Sequence, residues 1–188
     1  MTLTTKQTGF SNLQVLDPQI IVDLRYATKD NFTHQVVYDF TTAIARTGTA
    51  EKLVKASKSV QALGYRLKVW DAYRPVSAQE KLFEVYPDPM FVLPPNPNMS
   101  HQKGVTFDIT LTDMEGNEVE MPTPFDDFSK KAKRASFNTW TAVAQKHYLI
   151  LDKAMTEAGF NGYENEWWDY RDSQMDEYAP LAANPNEY

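Results

Sequence analysis

The chain has 188 residues, of which 42% are hydrophobic and 23% are charged, and its formal net charge is −6. This length and composition are typical of one globular domain with a sizeable core. We therefore predict a single domain over residues 1–188, with a polar surface tail at 171–188. The negative charge argues against a nucleic-acid or anionic-membrane partner. The chain has no cysteine, which excludes disulfides and thiolate metal sites.

The amino-terminal stretch MTLTTKQTGF lacks the apolar run of a secretory leader. No other segment reaches the length of apolar sequence that spans a membrane. The absence of cysteine fits a reducing compartment, although exported bacterial proteins also often lack cysteine. We therefore expect a cytoplasmic protein.

The spacing of hydrophobic residues predicts helices and strands in an irregular alternation. Strand patterns occur at 20–26, 65–70 and 105–111, and helical spacing occurs at 49–63, about 75–86 and about 138–158. The stretch PDPMFVLPPNPNMS contains five prolines and predicts a stiff loop over 87–99, called here the proline-rich loop. MEGNEV predicts a hairpin turn. Without a regular βαβ rhythm, this order of elements favours an α+β fold with an antiparallel sheet.

SHQKGVTFD, residues 100–108, contains the first chemically informative group. Gly104 lies between His101 and Asp108 in the sequence, and it permits a tight turn or a close approach of the backbone to a neighbour. Asp108 falls on the polar face of the strand. Zinc accepts both imidazole nitrogen and carboxylate oxygen, so the two residues could hold one metal ion. A plainer interpretation also stays open, in which His101 caps the loop and Asp108 binds a backbone amide. Ser100 is a poor nucleophile candidate, because side chains adjacent in sequence, such as those of Ser100 and His101, rarely make the hydrogen bond between nucleophile and base.

NEWWDYRD, residues 165–172, places two tryptophans between two carboxylates. In a straight strand, Glu166 and Trp168 would face one side, and Trp167 and Asp169 would face the other. The segment must therefore bend if both carboxylates serve one site. We expect the two tryptophans to pack against the core and hold that bend, since a site needs rigid support.

Five segments, in the same order along the chain, resemble the zinc D,D-peptidases related to the vancomycin-resistance D-alanyl-D-alanine dipeptidases. They are VDLRYATKDNF, VWDAYRP, SHQKGVTFDITL, MPTPFDDFS and GFNGYENEWWDY, and the resemblance extends from about residue 15 to 172. The RYATKDNF and DAYRP segments favour the dipeptidases over the carboxypeptidases of that superfamily. The resemblance implies an α+β domain in which helices flank an antiparallel sheet and a cleft holds one zinc ion.

The resemblance also implies individual roles. The first two zinc ligands of the family match His101 and Asp108, and its catalytic glutamate matches Glu166. Its arginine that stabilises the oxyanion matches Arg74, for which a salt bridge to a nearby aspartate is the plainer role. The aspartate that would bind the substrate ammonium matches Asp126.

Two positions depart from the family pattern. Pro122 stands where the family has a glycine, which changes the expected shape of the loop before Asp126. Asp169 stands where the family has a histidine as third ligand. A carboxylate also binds zinc, but it lowers the charge of the site by one and favours harder ions such as manganese. His34 lies in a polar loop and His147 on the apolar stripe of a helix, so we expect neither to substitute.

These residues favour a zinc-type D-alanyl-D-alanine dipeptidase that hydrolyses the free dipeptide to two D-alanines. Metal-activated water would be the nucleophile and Glu166 the base. One zinc ion is expected, and Asp169 would also suit another divalent metal. A D,D-carboxypeptidase or other cell-wall peptidase acting on longer peptides is one alternative. A catalytically impaired dipeptide-binding protein is the other, and Asp169 keeps it open. Antibiotic resistance and D-alanine recycling would both fit the leading activity.

Overall fold

The computed structural model of the protein describes residues 5–188, which form two β-sheets. Residues 1–4 lie outside the described residues. They are part of the predicted domain and of the amino-terminal stretch on which the prediction of a cytoplasmic location depends. The larger sheet has five strands, in the spatial order β2 (Ile21–Val22), β4 (Arg66–Asp71), β5 (Thr106–Thr112), β7 (Asp169–Asp172) and β6 (Phe160–Gly162). The smaller sheet pairs β1 (Phe10–Asn12) with β3 (Ile44–Arg46).

Two long helices and four shorter ones accompany the sheets within the described range. They are α1 (Thr5–Thr8), α2 (Leu13–Leu16), α3 (Thr47–Gln61), α4 (Val76–Val85), α5 (Ser100–Lys103) and α6 (Ala142–Ala158). Helices α3 and α6 pack against each other and against the larger sheet. Short 3-10 turns occupy Arg25–Ala27, Lys130–Ala132, Arg134–Thr139, Met175–Glu177 and Pro185–Glu187.

The predicted α+β fold, with helices flanking the sheet, is confirmed. The sheet is antiparallel except at one edge, where β2 runs parallel to β4. Strand β5 lies between β4 and β7, and all seven of its residues are buried. The polar face of this strand therefore points into the protein and not into solvent, as expected if Asp108 belongs to a functional site.

Several predicted element limits are wrong. The predicted strand 20–26 ends at Val22, because the amide of Asn31 donates hydrogen bonds to nearby backbone carbonyls and folds the following segment into a compact loop. Helix α6 begins at Ala142 instead of about 138, because the Thr141 hydroxyl accepts a hydrogen bond from the Ala144 amide at 3.1 Å and caps the helix there. The tail begins after β7, since residues 171 and 172 still belong to that strand.

The long proline-rich loop and the hairpin turn between residues 113 and 118 lie where they were predicted. Among residues 5–188, none of the helices combines the length and the apolar character needed to cross a bilayer.

Candidate active site

Three aspartates lie side by side on three neighbouring strands. Asp71, at the end of β4, pairs in register with Asp108 on β5, and Asp108 pairs with Asp169, the first residue of β7. All three are buried, with 0%, 5% and 3% of their surface exposed. Directly opposed residues in antiparallel strands share one face, where like charges repel each other. Such a row destabilises the sheet locally, which indicates a site for a cation more than a role in packing.

Asp71 has Arg74 as its cationic partner. The carboxylate oxygen Oδ2 of Asp71 lies 2.5 Å from Arg74 Nη2 and 3.1 Å from Nε. The Tyr38 hydroxyl donates to Asp71 Oδ1 at 2.7 Å and accepts from Arg74 Nε at 2.9 Å. Burial acts to lower the pKa of Arg74, but Tyr38 and Asp71 outweigh it and raise that pKa well above its ordinary value. The salt bridge considered for Arg74 is therefore present, and it fixes a permanently charged guanidinium at the cleft.

Asp108 has His101 as its cationic partner. His101 lies on α5, which ends at Gly104 with a left-handed φ of 72°. His101 Nδ1 lies 2.7 Å from the carbonyl oxygen of Ala72, so Nδ1 carries a proton and Nε2 faces Asp108 Oδ1 at 3.5 Å. Burial acts to lower the pKa of His101, but Asp108 and Asp71 outweigh it and raise that pKa to about 9.

The Gly104 turn meets both expectations drawn from the sequence. Its φ lies in the region that favours glycine, and an added Cβ would lie only 2.7 Å from Cε1 of Phe10. The turn and the close approach together lead the chain from α5 into β5. They thereby bring His101 and Asp108 to the same cleft.

Asp108 has a buried carboxylate oxygen, Oδ1, that lacks a hydrogen-bond donor among the described residues. No residue that the structure describes donates a hydrogen bond of ordinary geometry to its Oδ1, since the contact of 3.5 Å to His101 is at the outer limit. Burial raises the pKa of Asp108, His101 opposes that shift, and Asp169 adds to it. An unpaired buried acceptor is costly, and a bound cation would satisfy it. Imidazole nitrogen with carboxylate oxygen is a donor set that zinc accepts, so these residues fit one divalent ion.

The three residues predicted as metal ligands line one cleft but do not form one compact group. Ligand atoms of Asp71, His101 and Asp108 lie within 4.8 Å of one another, and so do those of Asp108, Glu166 and Asp169. Among the described residues, neither group contains both His101 and Asp169. Asp108 belongs to both groups and is therefore the centre of the candidate metal site.

Asp169 is held by Arg171, a residue that the sequence reasoning missed. Arg171 Nε lies 3.0 Å from Asp169 Oδ1, and Nη2 lies 3.1 Å from Oδ2, so both carboxylate oxygens accept a hydrogen bond. The guanidinium also lies 4.0 Å from the centre of the Tyr163 ring. The two-residue period of a strand places positions 169 and 171 on one face, and this pattern could have indicated that Arg171 lies beside Asp169. The charge of Arg171 offsets the negative charge that Asp169 adds to the site.

Glu166 lies in a turn that one guanidinium holds through its backbone. Arg134 Nε donates to the carbonyl of Tyr163 at 2.8 Å, and Arg134 Nη2 donates to the carbonyls of Trp167 and Asp169 at 3.0 and 3.1 Å. Burial raises the pKa of Glu166 well above its ordinary value, and repulsion from the aspartates of the cleft adds to that effect. Glu166 and Asp169 therefore reach the same cleft although they lie three residues apart.

The two tryptophans pack as expected. Trp167 and Trp168 are completely buried, and their rings meet edge to face with centroids 5.5 Å apart. Trp70 packs against Trp167 and Phe125 against Trp168, each with centroids 5.8 Å apart. The strand begins only at Asp169, so the preceding residues bend as the sharing of one site requires.

Asp126 reaches the cleft from a loop with a left-handed backbone. Its φ is 54°, a conformation that aspartate tolerates better than most residues. The Tyr26 hydroxyl donates a hydrogen bond to Asp126 Oδ2 at 2.6 Å, a contact that the sequence reasoning did not foresee. Burial, followed by repulsion from Asp108, raises the pKa of Asp126 to about 7. The loop that follows Pro122 therefore still presents a carboxyl group to the cleft.

The cleft is small and has an aromatic rim. Its volume is about 120 Å³, and residues 91–93 of the proline-rich loop form part of its wall. The ring centroids of Phe91 and Phe128 are 5.1 Å apart, and those of Phe32 and Phe128 are 5.3 Å apart. This rim leaves room for a small substrate.

Neither of the other two histidines lines the cleft. His147 is a helix-edge residue, as expected, with Nδ1 2.8 Å from the carbonyl oxygen of Glu120 and its ring against Tyr65. His34 is exposed. Neither can replace the histidine that the family has at position 169.

Comparisons with known proteins agree with the geometry. A family model described as peptidase M15, D-ala-D-ala dipeptidase, matches residues 6–184. The D-alanyl-D-alanine dipeptidase of Escherichia coli K12 is 32% identical over 175 residues, which cover 93% of this chain and 90% of that protein. The D-alanyl-D-alanine dipeptidase of Enterococcus faecalis is 31% identical over 186 residues, which cover 88% and 92%.

Among solved structures, a variant of the vancomycin-resistance D,D-pentapeptidase VanY in complex with Zn(II) is similar over 74% of this chain and 78% of that chain, with 15% identity and a TM-score of 0.46. The sequence matches define the protein as a peptidase. More narrowly, the chain belongs to the D-ala-D-ala dipeptidase family, because the family match covers nearly all of it.

Proposed function

We propose that this protein is a metal-dependent dipeptidase that hydrolyses free D-alanyl-D-alanine to two D-alanines, the activity for which its relatives are named. The observation that carries the proposal is the meeting, in one cleft, of a donor set for a cation, a carboxyl group of raised pKa and a fixed guanidinium. In this proposal His101, Asp108 and Asp169 hold one divalent ion, with zinc as the first candidate. When bound, that ion would supply Lewis-acid polarisation of the scissile carbonyl.

Glu166 is the general base in this proposal. Its carboxyl group has a pKa well above the ordinary value because it is partly removed from solvent and lies near the acidic row. A base works best when its pKa lies near the working pH, and the shift moves this glutamate in that direction. The carboxylate would take a proton from the attacking water and pass it to the leaving amino group.

Arg74 stabilises the negative charge that develops on the carbonyl oxygen. Asp71 and Tyr38 hold the guanidinium from one side, so its orientation is set before the substrate enters. A preorganised donor of this kind is typically worth about 3 kcal/mol in the transition state.

Asp126 binds the substrate ammonium, which favours a free dipeptide over longer peptides. Its carboxyl is half-buried and has only a neutral donor, the Tyr26 hydroxyl, as its hydrogen-bond partner in the described residues. A desolvated carboxylate without a cationic partner is costly, so a substrate that brings an ammonium to this place is favoured. The small volume of the cleft supports the same substrate class.

A catalytically impaired dipeptide-binding protein is the second candidate, and the Asp169–Arg171 pair is the observation that favours it. Because Arg171 donates to both oxygens of Asp169, an ion must share that carboxylate or displace the guanidinium. Calorimetric binding of D-alanyl-D-alanine to the zinc-loaded protein, without release of D-alanine, would support this candidate.

Release of D-alanine by chelator-treated protein, before and after addition of zinc or manganese, tests the leading proposal. N-acetyl-D-alanyl-D-alanine is the matched comparator, because it keeps the scissile bond but has no ammonium for Asp126. We expect metal-dependent cleavage of the free dipeptide, with kcat/KM at least about 100-fold lower for the acetylated compound. Equal cleavage of the two compounds would favour the D,D-carboxypeptidase alternative instead.

A further inference from the structure

Gln79 joins the proline-rich loop to Arg74 through buried hydrogen bonds. Gln79 lies in the first half of α4, and 2% of it is exposed. Its Oε1 accepts a hydrogen bond from Arg74 Nη1 at 2.7 Å, and its Nε2 donates to the carbonyl oxygen of Leu93 at 2.6 Å. Gln102, also buried, donates to the same Oε1 at 3.2 Å. One amide thus connects a wall of the cleft to the proposed oxyanion-stabilising group.

The orientation of the Gln79 amide follows from its two neighbours. A guanidinium N–H can only donate, so the atom that faces Arg74 must be the amide oxygen. A carbonyl oxygen can only accept, so the atom that faces Leu93 must be the amide nitrogen. A flipped amide would leave both contacts repulsive in a buried place, which is costly. Arg74 and the loop therefore select the same arrangement of Gln79.

The proline-rich loop is stiff, and three consecutive residues of it line the cleft. Its five prolines restrict the backbone, and Val92 at its centre is 3% exposed. Phe91 packs against Phe128 across the rim, and Leu93 supplies the carbonyl that Gln79 binds. Displacement of this loop would therefore break the hydrogen bond to Gln79 and open the cleft in one step.

We infer that Gln79 is a positioning residue that couples the closed position of the proline-rich loop to the orientation of Arg74. Asp71 fixes one side of the guanidinium through Nε and Nη2 and leaves Nη1 to be placed by Gln79. A charge-stabilising donor must be held within about half an ångström of its working position. For its catalytic consequence, this inference rests on the proposed function.

The coupling gives the enzyme a way to reject longer peptides after they bind. A peptide that extends past the aromatic rim displaces the loop, and the Gln79 amide, no longer held by the Leu93 carbonyl, is free to rotate away from Arg74. Arg74 then keeps its contact with Asp71 but loses the partner that places Nη1. Such a peptide is bound and turned over slowly, so discrimination falls on kcat as well as on KM.

Two substitutions separate the two contacts of Gln79. Gln79→Met keeps the length of the side chain and removes both hydrogen bonds. Gln79→Glu cannot donate to Leu93, but its carboxylate has two equivalent charged acceptors and therefore holds Arg74 without the help of the loop. Gln145→Met is the matched control, because the Gln145 amide also donates to backbone carbonyls, at 3.0 and 3.2 Å, and Gln145 does not line the cleft.

We expect Gln79→Met to lower kcat for D-alanyl-D-alanine by about tenfold or more, since misplacement of a catalytic group by an ångström can cost up to about 100-fold. Gln79→Glu should keep kcat within about threefold of the parent and raise KM, because Arg74 stays held while the loop is released. Hydrogen–deuterium exchange of residues 87–99 should increase in both variants. Gln145→Met should change neither kcat nor the exchange of the loop.

Unchanged exchange of the loop in both Gln79 variants would overturn the inference. An equal fall in kcat for Gln79→Met and Gln79→Glu would overturn it as well. A parent protein that does not cleave the dipeptide would contradict the proposed function, and the side-chain ¹⁵N resonances of Arg74 then decide the coupling. Resonances that shift in Gln79→Met and stay in place in Gln79→Glu support it, and the same response in both variants overturns it.

Discussion

Asp108 and Asp169 lie directly opposite each other on β5 and β7, and both are buried. Their mutual repulsion is offset by separate cations, because His101 neighbours Asp108 and Arg171 binds Asp169. The same cations that let this pair fold also compete with a metal ion for the carboxylates. The affinity of the cleft for a metal therefore depends on how easily these internal partners give way.

Zinc affinity should rise with pH up to about 9. In the metal-free protein the pKa of His101 is about 9, so at lower pH zinc must displace a proton from the imidazole. Loss of one proton on binding makes the affinity rise by about tenfold for each pH unit in that range. Competition with a chromogenic chelator, measured from about pH 6 to pH 10, follows this dependence. An affinity that does not vary over this range would show that His101 is not a ligand.

Asp126→Asn should stabilise the metal-free protein at pH 8 and leave its stability unchanged near pH 4. The pKa of Asp126 is about 7 in the folded protein against 3.8 as the reference, so the folded state binds the proton more strongly. Stability is therefore lost as pH rises from about 4 through 7, by an amount on the order of a few kcal/mol. Asparagine carries no charge to bury and tolerates the left-handed backbone. Denaturant melts at the two pH values measure the difference, and parallel pH profiles of parent and variant would contradict the assignment.

Glu166→Gln should reduce turnover by about 100-fold or more, as expected for the loss of a general base. Zinc affinity should change by less than about tenfold, because Glu166 is not a ligand in the proposed arrangement. Glu166 nevertheless belongs to one of the two compact groups of ligand atoms, so the measurement separates two roles. Turnover and zinc titration of the same preparation are needed. A large loss of affinity would make Glu166 a ligand and move the base elsewhere.

Asp169→His should raise zinc affinity, and the gain should be larger when Arg171→Gln is also present. In the single variant, the guanidinium loses its carboxylate partner and its charge opposes the incoming ion. We expect a coupling free energy of about 1 kcal/mol between the two positions, typical of residues in direct contact. Zinc titration of the parent, both single variants and the double variant forms a double-mutant cycle that measures this coupling. Additive effects would show that Arg171 does not act through Asp169.

Gly104→Ala should destabilise the protein more than Gly64→Ala. Both glycines have a positive φ, of 72° and 83°, so the two variants share the backbone strain. A Cβ at position 104 would also lie 2.7 Å from Phe10. A Cβ at position 64 would have no atom of a described residue within 4 Å. The shared strain costs about 1 to 3 kcal/mol, and the clash adds to it at position 104. Chemical denaturation of the two variants measures the difference, and equal losses would remove the role of the close approach.

The fold was predictable where local spacing dominates. Helices α3 and α6 follow from apolar residues that recur about every 3.6 positions, and β5 follows from strict alternation. The limits of α6 depended on the Thr141 cap, which the wider helical pattern concealed. The parallel edge of the sheet depended on how distant segments meet, a property that no local pattern contains.

The candidate site was predictable as a list of residues but not as an arrangement. The family resemblance identified Glu166 and Asp126, and the structure brings both to the cleft. The contact between Asp108 and Asp169 requires the register of β5 against β7, which joins residues about 60 positions apart. Gln79 and Tyr26 escaped notice because their partners come from separate loops and helices. These side chains become informative only after tertiary packing places them.

Arg134 extends the set of positions at which activity can be lost. It does not line the cleft, yet its guanidinium holds three carbonyls of the turn that carries Glu166. A lysine has one compact ammonium and cannot satisfy this planar arrangement, so even a conservative exchange would disturb the turn. In a genetic selection for inactive alleles, substitutions at Arg134 would accumulate beside those at Glu166. A map of inactivating mutations would therefore reach beyond the residues that contact substrate, along the support of a single turn.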